Sequence, residues 1–315
     1  MLESFAIALD AVMPFFCYLL VGYLVVRFHW SDRAFLERLN GLIFKVIFPF
    51  MMFWNVYHAT PESMPSAALI ITSVSAILLL IGLLIFLVPR FVPEKNRGGV
   101  VIQGIFRSNF VLFGVTLTVS VFGEENASVA GVMVLIIVAM FNVAAVLVLE
   151  MFRDEKKTSP GELLLKLLKN PLLQGCILGL VFFLMGIHLP HFLEVPVSAL
   201  AACATPMAVI TLGGTLTLKA LKRNMRIISW VMLLKLILIP IVMMTLSYLI
   251  GLRGVELFLI LMIFGTPIAT SSYPMAANMG GDGELAGQLV VVSTIVSLLT
   301  LFCFIFFLSQ AGLQV

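Results

Sequence analysis

Asn109 and the run Thr270-Ser271-Ser272 are polar residues inside stretches long and apolar enough to cross a membrane. An amide or hydroxyl in hydrocarbon needs a partner. Such a side chain either bonds a neighbouring helix or faces a water-filled cavity that holds a polar solute. Thr266-Pro267 and Tyr273-Pro274 bracket the hydroxyl run, and the two prolines remove two backbone donors within eight residues and obstruct carbonyls one turn earlier. A regular helix is not expected there. Freed amides, three hydroxyls and a helix N-terminus form a donor set suited to an anion; the plainer alternative is a proline kink satisfied by Ser and Thr side chains.

Three cations lie near the hydrocarbon: Lys45, Arg107 and Lys235. Each falls toward the basic-loop end of its span, where snorkelling explains a long charged side chain. An anion-attracting role is the competing reading, strongest for Lys235, which lies about 12 Å along its helix at the helical rise. No Asp or Glu occupies the middle of any span, and Asp10 and Glu150 stand toward the ends. The carboxylate pairs that hold sodium or relay protons are therefore not expected, and a cationic guest is disfavoured.

Other chemistry is excluded residue by residue. His188, His191 and Glu194 are separated by Pro190 and flanked by Pro196, so they do not share a helical face for a metal. Cys17, Cys176, Cys203 and Cys303 sit in apolar segments without a CxxC pair, so neither a disulfide nor a zinc site is expected. A phosphate loop, a zincin motif and a serine nucleophile elbow are all missing, so no ATP motor, cofactor or enzyme chemistry is expected. Asn55 and Asn142 read as packing amides, and Gly175 with Gly179, like Gly213-Gly214, as points of close helix approach.

The elements that must position these groups follow from composition. Of the residues 61% are hydrophobic and 11% charged, and the mean hydropathy is +1.14, which reads as an all-α polytopic membrane protein. Ten segments have the roughly 20-residue length of a span: 5–26, 39–58, 67–88, 99–122, 128–150, 171–188, 197–218, 227–250, 255–279 and 285–308. Fifteen of the 19 Lys and Arg residues fall in the loops after spans 1, 3, 5 and 7. The positive-inside rule makes those loops cytoplasmic and both termini extracytoplasmic. Basic residues confined to short loops disfavour nucleic acid as a partner.

The charged stretch at 151–170 falls near the midpoint and links residues 1–150 to residues 171–315, five spans each. Because five is odd, the halves must be inverted in topology. Their fourth spans are the two irregular ones: Phe106–Gly123 aligns with Phe264–Gly281 at a constant offset. Matched interrupted spans mark the binding site of a carrier, and the second, with two prolines, is expected to be the more strongly broken.

FRSNFVLFG in span 4, MLLKLILIP in span 8 and TPIATSSYPMAANMGGDGELAGQ leading into span 10 resemble the auxin efflux carrier family in its bacterial branch, over essentially the whole chain. The resemblance implies ten helices in two inverted repeats with crossing broken helices 4 and 9, related in fold to bile-acid symporters and sodium/proton antiporters. It implies a scaffold of spans 1, 2, 6 and 7, a moving unit of spans 3–5 and 8–10, and a homodimer in the plasma membrane. Implied substrates are organic anions such as malate, malonate or auxin, held by Asn109, Phe110 and Gly114 on one segment and by Thr266, Pro267, Thr270, Ser271, Ser272, Tyr273 and Pro274 on the other. Bacterial relatives carry proline where this chain has Thr116, so the first break is expected at Gly114-Val115-Thr116 and to be gentle. Sodium-coupled symport and a non-transporting membrane sensor are the alternatives.

Overall fold

Backbone polar groups in hydrocarbon must be satisfied within the segment, which for a single chain of apolar runs means helices. The computed structural model describes residues 2–57, 65–123, 127–153, 161, 165, 168–216 and 218–310, and helix is the regular structure throughout them. The helices are α1 (Leu2–Arg27), α2 (Arg33–Leu42), α3 (Phe48–Tyr57), α4 (Ala67–Phe91), α5 (Lys95–Phe106), α6 (Phe110–Phe122) and α7 (Ala127–Met151). They continue as α8 (Pro171–Met185), α9 (His191–Thr215), α10 (Leu218–Leu233), α11 (Ile239–Ile250), α12 (Gly254–Gly265), α13 (Ser272–Asn278) and α14 (Gly283–Gln310). Among the described residues six helical runs are long and apolar enough to cross a membrane, including Arg33–Tyr57 and Leu221–Ile250. The protein is accordingly multi-pass. Most of the charged stretch at 151–170 lies outside the described residues.

Arg33–Tyr57 joins α2 to α3 through a π turn at Ile43–Ile47, and α10 joins α11 through another at Leu234–Leu238. Pro49 and Pro240 follow these turns by two residues. Each proline lacks an amide and crowds the carbonyl one turn earlier, and local widening is how a continuous helix absorbs that. Lys45 and Lys235 both sit inside the π turns.

Helix pairs α1/α9 and α3/α8 are the most closely packed. Glycine sets both contacts. A Cβ on Gly213 would collide with the backbone of Leu19, one on Gly22 with that of Ile210, and one on Gly175 with Pro49. A Cβ on Gly179 would come within 2.7 Å of the Phe53 carbonyl oxygen. The small-residue positions expected to bring helices together do so.

The two irregular stretches form the interior. Gly98 to Phe106 of α5 and Leu257 to Gly265 of α12 are buried without interruption. A helix that is hydrophobic all round belongs inside protein. Neither is a full span by itself. Each is followed by a break and a second short helix: residues 107–109 before α6, and residues 266–271 before α13. The second break is twice the length of the first; Pro267 lies within it, and Pro274 stands in the first turn of the helix that follows. The first break, however, lies at Arg107–Asn109 and not at Gly114-Val115-Thr116, which runs through α6. Gly114 is retained for packing, since a Cβ there would strike the Phe110 ring.

Candidate functional site

The breaks are stitched to one another. The Asn109 backbone N–H donates to the Pro267 carbonyl at 2.7 Å, and the Ser108 hydroxyl donates to the Ile263 carbonyl. Ile263 is four residues before Pro267, so its carbonyl is the one that loses an intrahelical partner to the proline. Ser108 replaces that partner. The Thr266 hydroxyl closes back on the Met262 carbonyl at 2.8 Å, and the Ile268 amide donates to Ser293 at 3.1 Å. Backbone groups opened by the breaks are thus satisfied by side chains from elsewhere, as an interior without water demands. Replacing Ser108 by Ala leaves the buried Ile263 carbonyl without its donor and is expected to destabilise the protein by about 1–3 kcal/mol. Thermal unfolding in detergent, compared with Ser108→Thr, which keeps the hydroxyl, checks this; equal midpoints for the Ala and Thr variants would remove the assigned role.

Beside this junction lies a cavity of about 340 Å³. One wall is Arg107, Ser108, Asn109, Asn142, Thr270 and Ser271. The facing wall is Met51, Met52, Trp54 and Asn55 of α3, with Ser198, Ala201, Ala202 and Thr205 of α9. Val111 and Leu112, in the first turn of α6, also line it, so that helix presents its amino end to the space, where partial positive charge favours an anion. The Asn109 side chain makes no cap on its helix and faces the cavity.

Arg107 is the centre of the site. Only 3% of it is exposed, and it follows a 12-residue helix, which puts it about 18 Å from the start of that helix. Snorkelling is ruled out at such depth and burial. Its Nη2 donates to Asn142 Oδ1 at 2.6 Å and to Ser271 Oγ at 2.7 Å, while Nη1 contacts the Met275 thioether. All three partners are neutral. A guanidinium offers five donors and a thioether is a weak acceptor, so capacity remains for a ligand. Asn142 is held in turn by Met52 Sδ at 2.8 Å and Cys176 Sγ at 3.6 Å. It is therefore a positioning group for Arg107 and not simply a packing amide, and Asn55 is likewise a cavity residue.

The remaining expected residues separate. Thr270 and Ser271 join Arg107 and Asn109 in the cavity. Phe110 and Thr266 are fully buried behind it, Gly114 seats the Phe110 ring, and Pro267 contributes the carbonyl that ties the breaks. The Ser272 hydroxyl is buried without a hydrogen-bond partner among the described residues. The Pro274 carbonyl accepts from Asn278 Nδ2 at 2.7 Å. These six shape the site and do not line it.

Tyr273 faces a second cavity, of about 460 Å³, shared with Arg33, Glu37, Asn40, Asn278 and Glu284. Its hydroxyl bonds Thr215 Oγ1 of α9 at 2.8 Å. The two cavities meet α9 at different levels, 198–205 and 212–215. Lys45 is exposed on an apolar groove with Phe50, Phe53 and Phe182, and lines neither cavity. Lys235 is fully buried in its π turn, with no hydrogen-bond partner for its amine among the described residues, and it lines neither cavity. It neither snorkels nor reaches the candidate site.

A family model described as "Membrane transport protein" matches residues 7–305. The chain belongs to the auxin efflux carrier family. It is 25% identical over 295 residues to a "Putative malonate transporter" of Rhizobium meliloti (strain 1021), covering 92% of each chain. It is 23% identical over 296 residues to an "Uncharacterized transporter" of Methanothermobacter thermautotrophicus (strain ATCC 29096 / DSM 1053 / JCM 10044 / NBRC 100330 / Delta H), covering 93% of this chain and 95% of the relative. Family and relatives place this auxin efflux carrier family member among membrane transporters and not among enzymes. Within it, the groups that sequence reasoning undervalued are Arg107 and Asn142. The available signal for Arg107 was its position directly before the Ser-Asn pair of an irregular span.

Proposed function

We propose that the protein is a secondary carrier for a small organic anion, a mono- or dicarboxylate of the malate or malonate class, working by alternating access in the plasma membrane. The observation that carries this reading is the buried Arg107, met only by neutral partners, in a cavity where two broken helices join. A carboxylate supplies the missing opposite charge. It would take the free Arg107 donors, the Asn109 amide and the Thr270 hydroxyl, at the amino end of α6. The printed name of the Rhizobium meliloti relative agrees with this class of guest.

In this reading the chain comprises ten spans in two inverted repeats, with α5/α6 and α12/α13 as the broken fourth and ninth, and both termini are extracytoplasmic. Support comes from the loop charges and from the paired breaks at corresponding places. The cavity lies between α3 and α9 on one side and the first break, α6, α7 and the second break on the other, which suits a moving unit working against a scaffold. Homodimer formation is part of the proposal through the family. Uptake of labelled malonate, malate and monocarboxylates into proteoliposomes tests it. Asn109→Ala and Thr270→Ala are each expected to lower uptake at subsaturating substrate roughly tenfold, the value of one hydrogen bond to a charged group. Unchanged uptake by both variants would move the site elsewhere.

A further inference from the structure

We infer that this carrier is an anion exchanger: its empty site reorients far more slowly than its loaded site. The inference rests on the proposed anion-carrier reading and adds how the site's own charge governs turnover. Arg107 is the sole charged side chain in the cavity lining, and among the described residues it makes no ion pair. The α3 and α9 wall is neutral, with Met51, Met52, Ala201 and Ala202 beside the uncharged polar groups of Asn55, Ser198 and Thr205. Ala204 and Ala208 continue the α9 surface and are buried.

Any passage between an outward-open and an inward-open form goes through a state in which that wall closes on the site and water leaves. Emptied of ligand, the site then holds one uncompensated positive charge, and desolvating a lone ion in a low-dielectric interior is heavily penalised. Bound carboxylate converts the same site into a neutral, hydrogen-bonded ion pair. Part of the penalty is then recovered. The site is matched to a guest with a single negative charge at the guanidinium, so a dicarboxylate fits best with its other carboxyl protonated. Each half-cycle then carries no net charge at the site, and one anion must return for each that leaves.

The test uses full-length protein in liposomes loaded with labelled malonate at slightly acidic pH, with the membrane potential clamped at zero. Efflux is recorded into buffer with and without saturating unlabelled malonate outside. External malonate is expected to accelerate efflux about 100-fold, the ratio that desolvation of a buried ion readily supports. Arg107→Lys, which keeps the charge, is expected to preserve a large ratio. Arg107→Gln, which removes it, is expected to bring exchange and net efflux within a few-fold of one another at saturation. Equal rates with and without external malonate in the unsubstituted protein would overturn the exchanger while leaving a carrier standing. A large ratio surviving in Arg107→Gln would overturn the assignment of the effect to this charge. If none of a panel of mono- and dicarboxylates moves in either direction, the carrier reading and the exchanger built on it both fall.

Discussion

Arg107→Glu is expected to abolish carboxylate binding and transport. The substitution removes the donors to Asn142 Oδ1 and Ser271 Oγ and sets a negative charge where the substrate's own would lie. Loss of two charge-assisted hydrogen bonds from the guanidinium to the substrate carboxylate, of about 1.5–3 kcal/mol each, corresponds to a fall in affinity of roughly 100-fold to 10,000-fold, before repulsion is added. Arg107→Lys keeps the charge without the planar fork and should retain weak binding. Saturable uptake and ligand-induced thermal stabilisation are the measurements. Affinity for malonate or its analogues that survives charge reversal would show that the anion binds somewhere other than this cavity.

Gly213→Leu is expected to prevent the folded protein from accumulating. A Cβ at this position meets the backbone of Leu19, and the reciprocal Gly22 meets Ile210 across the same contact, so α1 and α9 touch main chain to main chain. Backbone atoms cannot swing aside as a side chain can. The cost should therefore reach or exceed the upper end of the about 1–3 kcal/mol typical of overpacking. Gly131→Leu is the internal control, because a Cβ there has no neighbour within 4 Å. Membrane yield and size-exclusion profile in detergent distinguish the two. A Gly213→Leu protein with the yield and melting temperature of the parent would mean that this close approach contributes little.

The α12/α13 interruption was legible because proline acts through its own backbone: Pro267 lacks an amide and deprives the Ile263 carbonyl of its helical donor. The first break was misplaced for a related reason. Gly114 and Thr116 were read as the weak point, yet glycine and threonine only permit a distortion, and α6 runs through both. What opens the chain at 107–109 is tertiary: Ser108 and Asn109 leave their helix to satisfy Ile263 and the Pro267 carbonyl. Lys45 and Lys235 both sit in π turns, yet Lys45 is exposed and Lys235 buried, since burial by neighbouring helices is not a property of depth counted in residues.

The sequence by itself determined the solvent and the periodicity: apolar runs in hydrocarbon become helices, glycine pairs become close contacts, and intramembrane hydroxyls and amides turn inward or bond carbonyls of their own helix. Those consequences follow from each residue's own transfer energy and backbone geometry. Only the tertiary structure decided which inward-facing groups share a site. Arg107 meets Asn142 across 35 residues and Ser271 across 164. No local pattern encodes such pairings, because the choice of hydrogen-bond partner depends on which helix faces lie a few ångströms apart after packing. An uncompensated guanidinium beside two stitched helix breaks exists only once those faces have met.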